Sequence, residues 1–369
     1  LKYRGTAKGF PVRGATEFEV RANIESASLV FAEGWPRLTG VDGDLLIGRN
    51  DLWVTGSARD LSEQKVDNSV VHLSGLSDPG KQVVNVSTGL RGKLSPVLEF
   101  LQGGPLFKGS AFRDLNLAAR GAGNMKLDVA IPLAKTSATR LEGQYETAGA
   151  ALKLPDDTWV TSIKGKLDFT EQSVVSPRLT GKMLGGPLSV NVATLKKGQP
   201  PIIQLKARGE AHASHLEPML GEWLAGELSG KADWAGTMIF DVDKISLNAR
   251  SSLAGMASVF PYPLAKETTE TLPMELDVDF LPGNRIKLSY DLESMTNGKL
   301  YFSELDRQTA LTGGCIYIGR GKASCDERQG VSVNLQQPVL DLDPWDAYIK
   351  KQEGDEGLPQ VLTRMAGSI

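Results

Sequence analysis

The chain has 369 residues and a formal charge of −3, with 41 Lys and Arg interleaved among 44 Asp and Glu. No basic stripe exists for phosphates to sit on, which argues against nucleic acid as a partner. No window approaches the roughly 20 apolar residues of a membrane-spanning helix. With 41% hydrophobic residues the chain is also too apolar for a disordered one.

Forty glycines beside only 7% aromatics fit a chain of many strands and turns. Taken in order, apolar residues recur at every second position. Leu45 and Ile47 lead through Gly48-Arg49-Asn50-Asp51 into Leu52 and Val54, which predicts a hairpin. Ser95-Pro96 opens a short helix over 95–101, with Ser95 as its cap. Met125, Leu127, Val129 and Ile131 alternate with polar residues; Trp159, Thr161, Ile163, Gly165, Leu167 and Phe169 are expected on one face. Leu188, Val190 and Val192 follow, then Ile203, Leu205 and Ala207. A second helix is expected over 215–224. Met274, Leu276, Val278 and Phe280 then pair, across Leu281-Pro282-Gly283-Asn284, with Ile286, Leu288, Tyr290 and Leu292. Val331, Val333 and Leu335 form the last strand, and a third helix covers 343–349.

These elements predict an all-β fold of about 18–20 strands, antiparallel, with one greasy and one wet face, and a few short helices. The helices are too few to cover both faces of so many strands, which rules out βαβ architectures. The segments beginning near 35, 159 and 226 share an apolar-x-Gly-x-apolar core. They are Val41-Asp42-Gly43-Asp44-Leu45, Ile163-Lys164-Gly165-Lys166-Leu167 and Leu228-Ser229-Gly230-Lys231-Ala232. Their irregular spacing fits duplicated multi-strand units within one continuous segment, 1–369, rather than a short-repeat solenoid.

Cys315 and Cys325 bracket Gly319-Arg320-Gly321. A three-residue hairpin there would put the two cysteines opposite one another, near enough for a disulfide. The alternative is a pair of reduced structural thiols. A bridge implies an oxidising compartment, in a bacterium the periplasm.

Candidate chemistry is sparse. The chain carries no Gly-x-Ser-x-Gly elbow, no phosphate-binding loop and no dinucleotide fingerprint. His212 and His215 have a ligand-like spacing, but two surface histidines ahead of a helix explain them more simply than zinc. His72 reads as an outward strand residue. Asp277 and Asp279 alternate with apolar neighbours, and Asp156-Asp157 follows a proline, as on wet faces and turns. Asp341 and Asp343 before Pro344 read as a helix cap rather than a calcium clip. Neither a metal nor a cofactor is expected.

So much one-faced sheet needs something against its apolar side. Two stacked sandwiches with closed cores are one answer. A sheet curved so that its own apolar face lines a groove is the other, and that groove would suit an acyl chain. Periodicity alone leaves the two open.

Glu33-Gly34-Trp35-Pro36-Arg37-Leu38-Thr39-Gly40-Val41-Asp42-Gly43-Asp44-Leu45 is one of three stretches that bear on the choice. The others are Ile163 to Thr170 with Leu184-Gly185-Gly186-Pro187-Leu188, and Leu340-Asp341-Leu342-Asp343-Pro344-Trp345. Together they resemble the YhdP family of AsmA-like proteins of Gram-negative bacteria, relatives of TamB. The resemblance implies a non-enzymatic periplasmic β-groove that carries phospholipid between inner and outer membranes and supports the outer-membrane permeability barrier. It also implies an inner-membrane anchor outside this chain, which begins Leu1-Lys2-Tyr3. Phospholipid acyl chains would be the partner. By alternation the groove lining falls on Leu45, Ile47, Leu52, Val54, Leu127, Val129, Leu167, Phe169, Val190, Val192, Leu276, Val278, Phe280 and Leu288. A β-sandwich scaffold for envelope partners is the alternative, and a glycan hydrolase a third.

Overall fold

A computed structural model describes residues 2–4, 17–29, 38–61, 64–78, 80–103, 115, 117–134, 139–154, 158–197, 201–220, 226–241, 244–283, 285–293, 295–305, 308–319, 321–325, 330–336 and 341–353. They hold 21 strands and three short helices. The chain divides into two compact units, one of residues Leu1–Gly181 with Asn191–Ile203, the other of Lys182–Val190 with Gln204–Ile369.

The first unit is a meander. It runs through β1 (Lys2–Arg4), β2 (Glu17–Leu29), β3 (Leu38–Ile47), β4 (Asp51–Leu61), β5 (Gln64–Ser74) and β6 (Val83–Lys93). Then come α1 (Leu94–Gly103), β7 (Ala118–Arg120), β8 (Ala122–Pro132), β9 (Arg140–Lys153), β10 (Trp159–Thr170) and most of β11 (Ser173–Met183). The β3–β4 turn closes as expected, with the Gly48 amide donating to the Asp51 carbonyl at 2.8 Å and Ile47 opposite Leu52. From β2 to β10 the partners are antiparallel, β6 pairing with β8 past α1. Helix α1 starts at Leu94, so Ser95 lies inside it rather than capping it; Val97 and Leu98 are buried in it.

One expected face is corrected. Ser162 has a positive φ of 53°, and the β9–β10 register shifts on both sides of Ile163. The extra residues of a bulge reverse the inside–outside alternation. Ile163, Leu167 and Phe169 therefore share a face with Val160, the partner of Leu152. Trp159 pairs instead with Lys153 and lies under the Arg120 guanidinium, 4.4 Å away.

β12 (Gly185–Lys196) and β13 (Ile202–His212) each contribute residues to both units. The second unit continues with α2 (Ala213–Leu220), β14 (Leu228–Phe240), β15 (Ile245–Ser251), β16 (Met256–Ser258), β17 (Met274–Leu281) and β18 (Arg285–Leu292). It closes with β19 (Thr296–Leu305), β20 (Gln308–Gly319), β21 (Gly330–Gln336) and α3 (Asp343–Glu353). The hairpin of β17 and β18 has the register read from alternation: Leu276 faces Tyr290, Val278 faces Leu288 and Phe280 faces Ile286. At the end of β13, Leu216 of α2 packs with Leu184, Trp234 and Leu253 on the buried Ala211, Ala232 and Met256. Helix α3 docks by its aromatic side: Trp345 Nε1 donates to the Tyr262 carbonyl at 2.9 Å, and Tyr348 lies 5.5 Å from Phe260. The Asp343 amide donates to Asp341 Oδ1 at 3.1 Å, the expected cap.

The disulfide joins Cys315 to Cys325, but not across a hairpin. β20 pairs with β21 in parallel, so the sheet is mixed rather than wholly antiparallel. A parallel pair requires the chain to cross back, and residues 321–325 form part of that strap. Asn297 holds it from below: Nδ2 donates to the Gly321 carbonyl at 2.7 Å and Oδ1 accepts the Ala323 amide at 2.6 Å. The Tyr301 hydroxyl donates to the Cys325 carbonyl at 3.3 Å.

Lys266 is 7% exposed, and its Nζ donates to the carbonyls of Met256, Glu267 and Glu270 at 2.7, 3.0 and 2.8 Å. Burial pushes its pKa below the ordinary lysine value, against the pull of Glu270. Lys266→Met keeps the volume and strands three carbonyls, so urea unfolding should show a loss of about 2–3 kcal/mol. An unchanged midpoint would mean that water replaces the ammonium at no cost.

Candidate apolar groove face

Residues directly opposite across a ladder share a sheet face, so the registers show which side chains form continuous rows. In the first unit one row runs Val20, Ile47, Leu52, Leu73, Val84, Ile131. The next runs Ala22, Leu45, Val54, Val71, Val86, Val129, Leu141. Two more follow: Thr88, Leu127, Gly143, Phe169, and Leu90, Met125, Tyr145, Leu167. Leu45, Ile47, Leu52, Val54, Leu127, Val129, Leu167 and Phe169, chosen from alternation along single strands, thus fall on one side of one ladder. β8 shows the contrast within a strand: Met125, Leu127, Val129 and Ile131 are buried, while Asn124, Lys126 and Asp128, each preceding one of them, are exposed and Ala130 is half-buried.

The opposite side is polar. Asn23 Nδ2 donates to Asp44 Oδ1 at 3.2 Å, Gln144 Nε2 to Asp168 Oδ1 at 2.8 Å, and the Ser87 hydroxyl to Asp128. Arg91 pairs with Asp67 at 3.3 Å. His72 lies on this side, as expected, stacked on Trp53 with ring centroids 3.7 Å apart and bonded to Asp51 at 2.7 Å. Exposed pairs of this kind add little stability individually. They do make a one-residue register slip costly, because it would turn the whole apolar set to the wet side.

The second unit repeats the pattern with different residues. Its rows are Phe240, Ile245, Phe280, Ile286, Phe302; Met238, Leu247, Val278, Leu288, Leu300, Gly314, Val331; and Gly236, Ala249, Leu276, Tyr290, Gly298, Ile316, Val333. Burial pushes the phenol of Tyr290 upward here, as it does that of Tyr145 in the first unit, each partly offset by a neighbouring threonine hydroxyl. On the polar side Asn248 Nδ2 donates to Asp277 Oδ1 at 2.8 Å and Arg250 pairs with Glu275 at 3.1 Å. Asp277 and Asp279 therefore stand on the wet side, beside a cavity of about 360 Å³ shared with Thr237, Asn248 and Lys287. Val190 and Val192 sit two apart on β12, half-buried in the second unit and buried in the first, respectively.

Alternation missed the side taken by the strap. Cys315 lies in the row Asn248, Asp277, Ser289, Lys299, Cys315, and Asn297 and Tyr301 also belong to the polar side. Residues 321–325, the described part of the crossover to β21, thus lie against the polar side.

Among the described residues no group of three or more His, Cys, Asp or Glu is placed to hold a metal ion. His212 Nε2 approaches Glu210 Oε1 at 3.0 Å, and Lys231 Nζ reaches Glu210 Oε2 at 2.8 Å. Lys231 first, then His212, holds the Glu210 carboxyl below its ordinary 4.5. A depressed carboxyl contributes stability above 4.5 and loses it as pH falls through the lower folded value. Glu210→Gln should flatten that acid limb in thermal melts recorded downward from pH 5; an unaltered limb would remove this carboxyl from the acid response.

Among comparisons with known proteins, no curated protein and no solved structure matches the chain. A family model described as "YhdP protein" matches residues 1–367, nearly the whole length. With the three sequence stretches and the one-faced β architecture, that match places the chain in the YhdP family.

Proposed function

We propose that the chain is a non-enzymatic lipid conduit of the bacterial envelope, working in the periplasm, whose apolar face receives phospholipid acyl chains. The observation that carries this reading is the register. Apolar rows run strand to strand through each unit, while hydrogen-bonded polar residues occupy the other side. An acyl chain gains about 0.8 kcal/mol per methylene removed from water and asks for no polar partner. A row of Val, Leu and Phe suits it without any directed chemistry. Residues 321–325 and the disulfide, which would obstruct such a face, lie on the polar side. Family membership supports the same reading, in which an anchor in the inner membrane and contact with the outer membrane belong to the full-length protein.

The test is native mass spectrometry of the full-length protein taken from membranes in mild detergent. Phospholipid masses should remain bound and should be lost when Leu127 and Leu288 are both replaced by aspartate. A folded wild-type protein that holds no phospholipid would favour a scaffold with closed cores.

A further inference from the structure

Aromatic side chains on the apolar faces lie across glycines. Phe169 is the register partner of Gly143, and its ring occupies the space where a Gly143 side chain would begin, with Cε2 2.5 Å from that point. On the neighbouring row the Tyr145 ring covers Gly123 in the same way. In the second unit Tyr290 is the partner of Gly298, with Cε1 2.6 Å from the equivalent point, and Trp234 Nε1 comes within 3.0 Å of that of Gly209. Phe169 is only 6% exposed as a result.

A side chain in a sheet ordinarily stands away from it, because the Cβ of the cross-strand neighbour blocks any lower position. Glycine removes that block and lets a large ring lie against the backbone. Glycine in a strand interior otherwise weakens it, so its placement beneath rings needs a reason. Ring-over-glycine packing recovers some of the lost cross-strand contact. It also lowers the height of the bulkiest residues on the face.

We propose that the glycine–aromatic pairs, Gly143–Phe169 and Gly298–Tyr290 foremost, set the clearance of the groove floor and so select which acyl chains it admits. This rests on the lipid-conduit reading and goes beyond it by naming the residues that determine size. A Cβ at Gly143 or Gly298 lifts its ring into the path of the chain, and removal of the ring deepens the floor locally.

The experiment uses the full-length protein in detergent and two phosphatidylethanolamine probes with a diazirine in one acyl chain, one straight-chained and one methyl-branched. Photocapture is measured beside a melting curve. Gly143→Val is expected to lower capture of the straight probe about tenfold, and Gly143→Val with Phe169→Ala to return it to within about twofold of wild type. Phe169→Ala alone retains the glycine and is expected to raise the branched-to-straight ratio, which decides the matter if Gly143→Val does not fold. Wild-type capture by folded Gly143→Val, or an unchanged ratio in Phe169→Ala, would overturn the proposal. Absence of capture by folded wild-type protein would instead remove the lipid-conduit reading, and this inference with it.

Discussion

Replacing Val129 with aspartate should abolish phospholipid retention and destabilise the first unit by about 3 kcal/mol, since a charge without a partner is costly among apolar side chains. Val129 is 5% exposed, in the row between Val86 and Leu141. The neighbouring substitution Lys126→Asp adds the same group three residues away on the exposed side and should leave both stability and retention near wild type. Leu288→Asp separates the two effects, because Leu288 is half-buried, so the stability cost is smaller while the charge still stands among the apolar rows. Urea unfolding and bound-lipid mass spectrometry on the three variants check the expectation. Equal loss of lipid in Lys126→Asp would show that charge alone, not the face, is responsible.

Removal of the disulfide is expected to have the second largest effect. Cys315→Ser with Cys325→Ser opens a loop with a sequence separation of 10. The unfolded chain then regains about 2–3 kcal/mol of freedom at 25 °C. The strap would retain the Asn297 and Tyr301 hydrogen bonds. β21, whose residues are exposed along their whole length and which pairs with β20, depends on that strap for its place. Hydrogen exchange should therefore quicken in 331–336 while β18 and β19 hold their protection. Unchanged exchange in β21 would mean that the parallel ladder, not the strap, retains it.

Much of the architecture was legible in the residues because a half-buried sheet leaves a period of two wherever the strand is regular. Met125 to Ile131 and Met274 to Phe280 announced their own faces, and Gly48-Arg49-Asn50-Asp51 and Leu281-Pro282-Gly283-Asn284 their turns. Bulges defeated the same logic: nothing in Trp159-Val160-Thr161-Ser162 marks the extra residue that turns Trp159 to the other side. The cysteine pairing was foreseen for a geometric reason that does not hold, since a strap can bring Cys325 over Cys315 as readily as a hairpin can. Candidate lining residues could be listed strand by strand, but their alignment into rows depends on register, a long-range property. Rings that lie over glycines were invisible for the same reason, because Gly143 and Phe169 are 26 positions apart and meet only through the β9–β10 ladder.

One-sidedness is the central claim, and site-specific photocrosslinking in living cells tests it most directly. A photoreactive amino acid placed singly at Leu127, Val129, Val278 or Leu288 should capture phospholipid, and the same residue at Lys126, Asp128, Asp277 or Lys287 should capture none. Equal capture from the two sets would contradict an apolar face that receives acyl chains.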